Sequence, residues 1–476
     1  MSYRQLLFTV SLLSLILSGC VDKQTMDVLP RSIPEAESVS SEDILRFLDA
    51  VENSPHELHS FMFLRHGKVI TEGWWDPYRS GLKHTLYSTS KSFTSTAVGF
   101  AVTEKLLSVE DKVISFFPED LPDTVSPYLS ELTVKDLLTM SAGQDPDPTF
   151  LVPSRDSNWV RGFLATPIVN EPGTKFLYNS LATYMLSAIV QKVTGERMID
   201  YLTPRLFEPL VIQGMDWEVD PQGINTGGWG LRVKTEDMAR FGQLYLQKGS
   251  WNGKQILPAE WIEEATTIKI EQAPDLPQAT KDSSDWLQGY CYQFWRCRHH
   301  AFRADGAYGQ FIIVMPDQDA VIAITVETPD MKDELNLVWE YLLPAIYEGD
   351  LPANDSMVTA LKQRLSLLAL PIEEKSVDPS FVSNISGKTF AIEPNAGHIA
   401  SMSFTFSDNM CHLLLQTDTA VYQLAYGSGV WQTGETSRRG PYLVMDANLN
   451  RLSPFKVAGS YRWDDENTLK LVLRYI

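Results

Sequence analysis

Beyond its first twenty positions the chain contains no apolar run near the ~20 residues that span a bilayer, which excludes a polytopic membrane protein. Basic residues are in short supply. Forty Lys and Arg face sixty Asp and Glu, and the net charge of −20 is spread along the chain. With no basic stripe to offset it, this charge repels a polyphosphate, so nucleic acid is not expected as a partner. Cysteine is rarer still, with four in 476 residues. Apart from Cys20 these are Cys291, Cys297 and Cys411, an odd number. A single strand over Tyr290–Arg298 would hold Cys291 and Cys297 about 20 Å apart, too far for a disulfide unless a turn intervenes. Cys297 with His299 and His300 matches no familiar zinc spacing, and a strand would alternate them between faces, so no metal is expected.

What is present is ordinary for a globular chain: 44% hydrophobic and 21% charged residues, over a length that suggests two or three domains. Twelve Trp, eighteen Tyr and twenty-one Phe provide material for a packed core and for the walls of a cleft.

The first twenty residues read as an address. Arg4 precedes an apolar run from Leu6 to Leu17, too short for a span and suited to the core of a signal peptide. Leu17-Ser18-Gly19-Cys20 resembles the bacterial lipobox, which makes residues 1–19 a signal peptide and Cys20 the lipidation site. Residues 20–42 are polar and aperiodic and read as a lipidated tether. The expected location is the bacterial cell envelope, with the protein held to a membrane through Cys20 and facing the periplasm or exterior.

The remaining pattern is mixed. Glu42–Val51 has helical amphipathicity, and Phe61–Ile70 reads as a hairpin around Gly67. A helix is expected over Ser88–Leu107 and another over Leu181–Val193, ended by Gly195. Strands are expected at Gly289–Cys297 and in a hairpin of Phe311–Met315 with Ala320–Val326. A hairpin early, another late and helices between them predict an α+β fold, one antiparallel sheet built from both ends of a domain with a helical insertion. This domain is placed at 43–355. From 378 to 476 alternating residues such as Met402, Phe404 and Phe406 predict a small all-β barrel or sandwich.

The chemistry concentrates at Ser88-Thr89-Ser90-Lys91. A spacing of three puts Ser88 and Lys91 on one helical face, and a helix start directs unpaired amides at any anion formed there. A nucleophilic serine needs both, a base and an oxyanion donor. Lysine at its free pKa of ~10.4 is a poor base, so its surroundings must lower that value.

The run from Leu86 through Ser95 resembles the serine β-lactamase-like hydrolases, a superfamily of class C β-lactamases, D-alanyl peptidases, esterases and 6-aminohexanoate-oligomer hydrolases. Further matches follow in order: Leu132–Gly143, Pro172-Gly173 with Tyr178-Asn179-Ser180, Gly228-Trp229-Gly230-Leu231, and Gly306 with Gly309-Gln310. The resemblance covers roughly 45–350, and the tail resembles a small β domain appended to some members. It implies a β-lactamase/transpeptidase-like fold, catalysis by Ser88, Lys91 and Tyr178, and an oxyanion site from the amides of Ser88 and Ala307 beside Gly306. Ser180 stands where the family's second motif has Asn, and can position Lys91 or donate to a substrate oxygen. A phenol near an ammonium could ionise more easily and shuttle a proton. The third motif departs most. Where the family has Lys-Thr-Gly or His-x-Gly, this chain has Ala304-Asp305-Gly306. Ala304 offers no cation, Arg303 should face the other way, and Asp305 should repel an anion.

The sequence therefore points to a membrane-tethered serine hydrolase acting on a small-molecule ester, amide or peptide through an acyl-enzyme, with no cofactor. A true β-lactamase or D-alanyl peptidase is the alternative within the class, and a noncatalytic binding lipoprotein the alternative outside it.

Overall fold

The computed structural model describes residues 29–372, 380–440, 454–465 and 467–476. The leader and Cys20 lie outside the described residues, among which no helix is long and apolar enough to cross a membrane.

The first domain is built on a six-stranded antiparallel sheet. Its strands are β1 (Glu57–Arg65), β2 (Lys68–Trp74), β3 (Trp295–Arg296), β4 (Phe302–Gly306), β5 (Gln310–Met315) and β6 (Ala320–Glu327), in the order β2-β1-β6-β5-β4-β3. The early and late hairpins thus meet through β1 and β6, in register from Ser60 opposite Thr325 to Arg65 opposite Ala320. Alternation along the strands gives the sheet two apolar faces. Met62, Leu64, Ile312 and Val314 lie on the side of α2 (Ser90–Thr103) and α4 (Thr235–Leu246), with α3 (Ser180–Thr194) packed against α2. Phe61, Phe63, Phe311 and Ile313 face α1 (Ser41–Glu52), α5 (Met331–Leu337) and α6 (Asp355–Leu365). Helix α4 lies so close to the sheet that a Cβ at Gly242 would come within 2.6 Å of Val321.

Four boundaries differ from the sequence reading. The expected tether is docked from Leu29 onward: Val69 N–H donates to Pro30 O at 2.8 Å, Ser32 N–H donates to Val69 O at 3.0 Å, and Arg31 pairs with Glu72 at 2.9 Å. At the other end α6 and the stretch to Leu370 stay on the same body, with Leu361, Leu368 and Leu370 in its core. Of the expected strand Gly289–Cys297, Trp295–Arg296 alone forms a strand, against β4, while Tyr290 makes isolated bridges to Ile270 and Trp295. Gln293 takes a left-handed φ of 62° and breaks the run. Its buried side chain accepts from Thr183 and donates to the carbonyls of Leu137 and Leu138. Helix α2 also stops at Thr103, short of Leu107.

The C-terminal region is strand-rich and open. Strands β7 (Thr389–Ala391), β8 (Ile399–Ser407), β9 (Met410–Thr417), β10 (Val421–Ser428), β11 (Gln432–Thr436), β12 (Phe455–Asp465) and β13 (Thr468–Tyr475) form one sheet in the order β7-β8-β9-β10-β12-β11, with β13 also on β12. Of the barrel or sandwich expected from the alternation, no closed barrel forms among the described residues.

Candidate active site

The putting-together of the site begins at a strained turn. Tyr87 adopts φ 46°, in the left-handed region that a bulky side chain rarely enters. Residues Tyr87–Thr89 form a 3₁₀ turn that leads into α2. Side chains anchor it on both sides. Ser90 Oγ donates to Tyr87 O at 2.6 Å and accepts from Leu231 N–H at 3.1 Å, and Thr89 Oγ1 donates to Gln310 O at 2.8 Å. Ser88 is thereby held, half-buried, in the middle of the turn.

One helical turn on, Lys91 is 2% exposed. Its Nζ donates to Ser88 Oγ at 3.0 Å, to Ser180 Oγ at 2.9 Å and to Gly228 O at 2.6 Å. These three acceptors match the three protons of an ammonium. Burial nevertheless disfavours the charge and lowers the lysine from about 10.5 to about 7, against the opposing pull of Asp147 and Asp305. The lysine can therefore shed a proton near neutrality, at which point Ser88 becomes the donor in their hydrogen bond.

Tyr178 arrives from the loop before α3. Its phenol neighbours Ser88, its ring lies 4.9 Å from Lys91 Nζ, and it stacks on Trp295 at 5.6 Å. The structure corrects one expectation here. Burial pushes the phenol up, not down, so the resting group is a neutral phenol and the lysine is the more readily deprotonated partner. Asn179, between Tyr178 and Ser180, is buried and caps α3 by accepting from Ala182 N–H at 3.0 Å.

Strand β4 closes the opposite wall. A Cβ on Gly306 would lie 2.4 Å from Leu86 O and 2.8 Å from Thr89 Oγ1, so only glycine lets the strand end rest on the nucleophile turn. Ala307 follows directly, and Gln310 Nε2 donates to its carbonyl at 3.1 Å. Ala304 is buried in the core opposite Ile312 and presents no polar group. Arg303 and Asp305, two apart on one strand, share a face and pair at 2.8 Å. Arg303 is fully buried, lies 4.4 Å over the Trp286 ring and donates to Asp285 O and Cys297 Sγ. The expected repulsion by Asp305 is thus offset by its own neighbour.

Two contributors escaped the sequence reading. Asp147 accepts from Thr149 N–H and Oγ1–H at 3.0 and 2.6 Å, and its charge acts on both Lys91 and Tyr178. An aromatic wall of Phe176, Tyr178, Tyr290 and Trp295 packs around Met140. Neither follows a spacing rule. The residues weighed for a metal go separate ways: Cys297 accepts from Arg303, His299 packs on Trp339, and His300 meets Asp317 at 2.8 Å.

This fold, with a serine, a lysine and a tyrosine converging in it, is that of a β-lactamase-type serine hydrolase. The Beta-lactamase family model matches residues 59–344, more than half of the chain, and the chain belongs to that family. A curated relative, the 6-aminohexanoate-dimer hydrolase of Paenarthrobacter ureafaciens, is 27% identical over 290 residues, 57% of this chain and 73% of that protein. Other curated matches span from 32% to 65% of the relatives' length. Among solved structures, a Bacillus anthracis protein provisionally named a 6-aminohexanoate-dimer hydrolase is 21% identical with a TM-score of 0.56, covering 69% of this chain and 90% of its own. The octameric penicillin-binding protein homologue of Pyrococcus abyssi is 16% identical with a TM-score of 0.50, covering 91% and 98%.

Proposed function

We propose that the protein hydrolyses an ester or amide through an acyl-enzyme on Ser88. Neutral Lys91 takes the Ser88 proton as Oγ bonds to the substrate carbonyl carbon, and the amides of Ser88 and Ala307 receive the oxyanion. The carbonyl then re-forms, the bond to the leaving group breaks, and the proton passes to that group through Lys91 and neutral Tyr178. Water attacks the acyl-enzyme by the reverse proton path and frees the acid and Ser88. Ser180 holds Lys91 in place. The observation that carries this reading is the 3.0 Å contact between Ser88 Oγ and a buried lysine brought to about 7.

Esters and open-chain amides are favoured over β-lactams because the third-motif position is an apolar alanine and its neighbouring cation is consumed by Asp305. The name of the Paenarthrobacter relative, an amide hydrolase, supports the same preference. The test is covalent labelling: a fluorophosphonate should modify the wild type, and a fluorescent penicillin should label it weakly or not at all. Efficient penicillin turnover would instead favour the β-lactamase reading.

We also propose that the protein is exported and held to a membrane through acylated Cys20, on the strength of Leu17-Ser18-Gly19-Cys20 after an apolar run. Cys20→Ser should release the protein from the membrane fraction; unchanged retention would contradict the anchor.

A further inference from the structure

The C-terminal sheet docks beside the nucleophile turn. Arg474 of β13 pairs with Glu57 at 2.5 Å and lies 3.6 Å from Glu327. Arg439 comes within 4.0 Å of the buried Glu218, and the Phe455 ring sits 5.0 Å from the Arg232 guanidinium. Between the two domains lies a cavity of about 380 Å³. On the catalytic side it is walled by Tyr87 and Tyr308, whose rings meet edge to face at 5.5 Å. Tyr87 immediately precedes Ser88 and Tyr308 immediately follows Ala307, so the cavity begins one residue from each proposed oxyanion amide. Phe455 and Tyr475 supply the far wall.

Four cations, Lys83, Arg232, Lys456 and Arg474, line this cavity, in a chain that is strongly acidic overall. Asp216 is shared by two of them, Lys83 at 2.5 Å and Arg232 at 2.6 and 2.7 Å. Asp216 alone cannot neutralise both, and the buried Glu218, which also acts on Arg232, is pushed up to about 7 and carries only part of a charge at neutral pH. Arg232 uses Nε and Nη2 on Asp216, which leaves Nη1 without a hydrogen-bond partner among the described residues. Arg474, by contrast, is matched by Glu57 and Glu327, and Lys456 is matched by Glu435. A ligand with an anionic terminus is therefore drawn to Lys83 and Arg232, where an arginine N–H is open to a carboxylate.

We infer that this interdomain cavity is the subsite for the acyl part of the substrate, and that the acyl chain ends in a carboxylate held by Arg232 and Lys83. The inference rests on the hydrolase reading above and extends it. The Ala304 position offers no cation, whereas Lys83 and Arg232 supply one in the interdomain cavity. It also gives the C-terminal sheet a role, because Phe455 and Tyr475 complete the cavity.

The test compares p-nitrophenyl esters of matched six-carbon acyl chains ending in methyl, carboxylate or ammonium. The wild type should favour the carboxylate ester over the methyl ester by about tenfold in kcat/KM, and disfavour the ammonium ester. In Arg232→Met and in Lys83→Met that ratio should fall toward one. Lys83→Met leaves the Arg232–Asp216 pair in place, so it carries the test should Arg232→Met fail to fold. A preference for the methyl or ammonium ester, or a carboxylate preference unchanged in both variants, overturns the inference. The two readings fail differently. Hydrolysis that depends on Ser88 but shows no terminal preference removes this subsite alone, whereas hydrolysis undiminished in Ser88→Ala removes the parent reading.

Discussion

Lys91 Nζ lies 3.0 Å from Ser88 Oγ, in a position where only 2% of the lysine is exposed. The contact and the burial act together. The first gives the amine access to the hydroxyl proton, and the second makes the amine willing to accept it by raising the cost of its charge.

The sign of the pH dependence follows. A lysine lowered to about 7 is protonated and inactive as a base below that value and neutral above it. The kcat/KM for an uncharged ester should rise with pH between 6 and 8 and level off above, with an apparent pKa near 7. A rate that stays flat from pH 6 to 8 would show that this amine does not limit the reaction.

Ser180 accepts one of the three protons of the Lys91 ammonium at 2.9 Å. Ser180→Ala removes an acceptor that favours the charged form, so the lysine should lose its proton at still lower pH. The rising limb of the pH profile should move to more acid values, with kcat reduced about tenfold by looser placement of the amine. A lowered rate with an unmoved profile would restrict Ser180 to contact with the substrate.

Asp305 compensates a fully buried arginine. Asp305→Asn leaves Arg303 with a hydrogen-bonding neighbour and, as opposing charge, only Asp285, which is already paired with Arg298, and breaking a buried pair from one side costs about 3–5 kcal/mol. Thermal or urea unfolding should show a loss of that order at pH 7. An unchanged midpoint would mean that Trp286, Cys297 and the Asp285 carbonyl suffice for the guanidinium.

The sequence made the local part of this site readable. Ser88 and Lys91 are three apart, a spacing that one helical turn brings together without help from the rest of the chain. Tyr178 and Ser180, ninety residues on, were reached through motif order rather than through any physical period. The hairpins at 61–70 and 311–326 were legible because alternation and turn residues agreed. What stayed hidden depends on approach between distant segments. The burial that sets Lys91 and Tyr178 apart, the pairing that cancels Asp305, and the charge that Asp147 adds all require the folded cleft. Residues 29–40 read as a tether because their polar composition conceals backbone hydrogen bonds to Val69 and Ala345. The stretch 289–297 read as a strand because its aromatic residues suit one, while Gln293 bends it inward to satisfy buried groups.

The most direct measurement of the central claim is mass-spectrometric mapping of the protein after reaction with a fluorophosphonate at pH 8. The account predicts one modified residue, Ser88, in the wild type and no modification in Ser88→Ala. A label on another serine, or an equal label in the alanine variant, would contradict it.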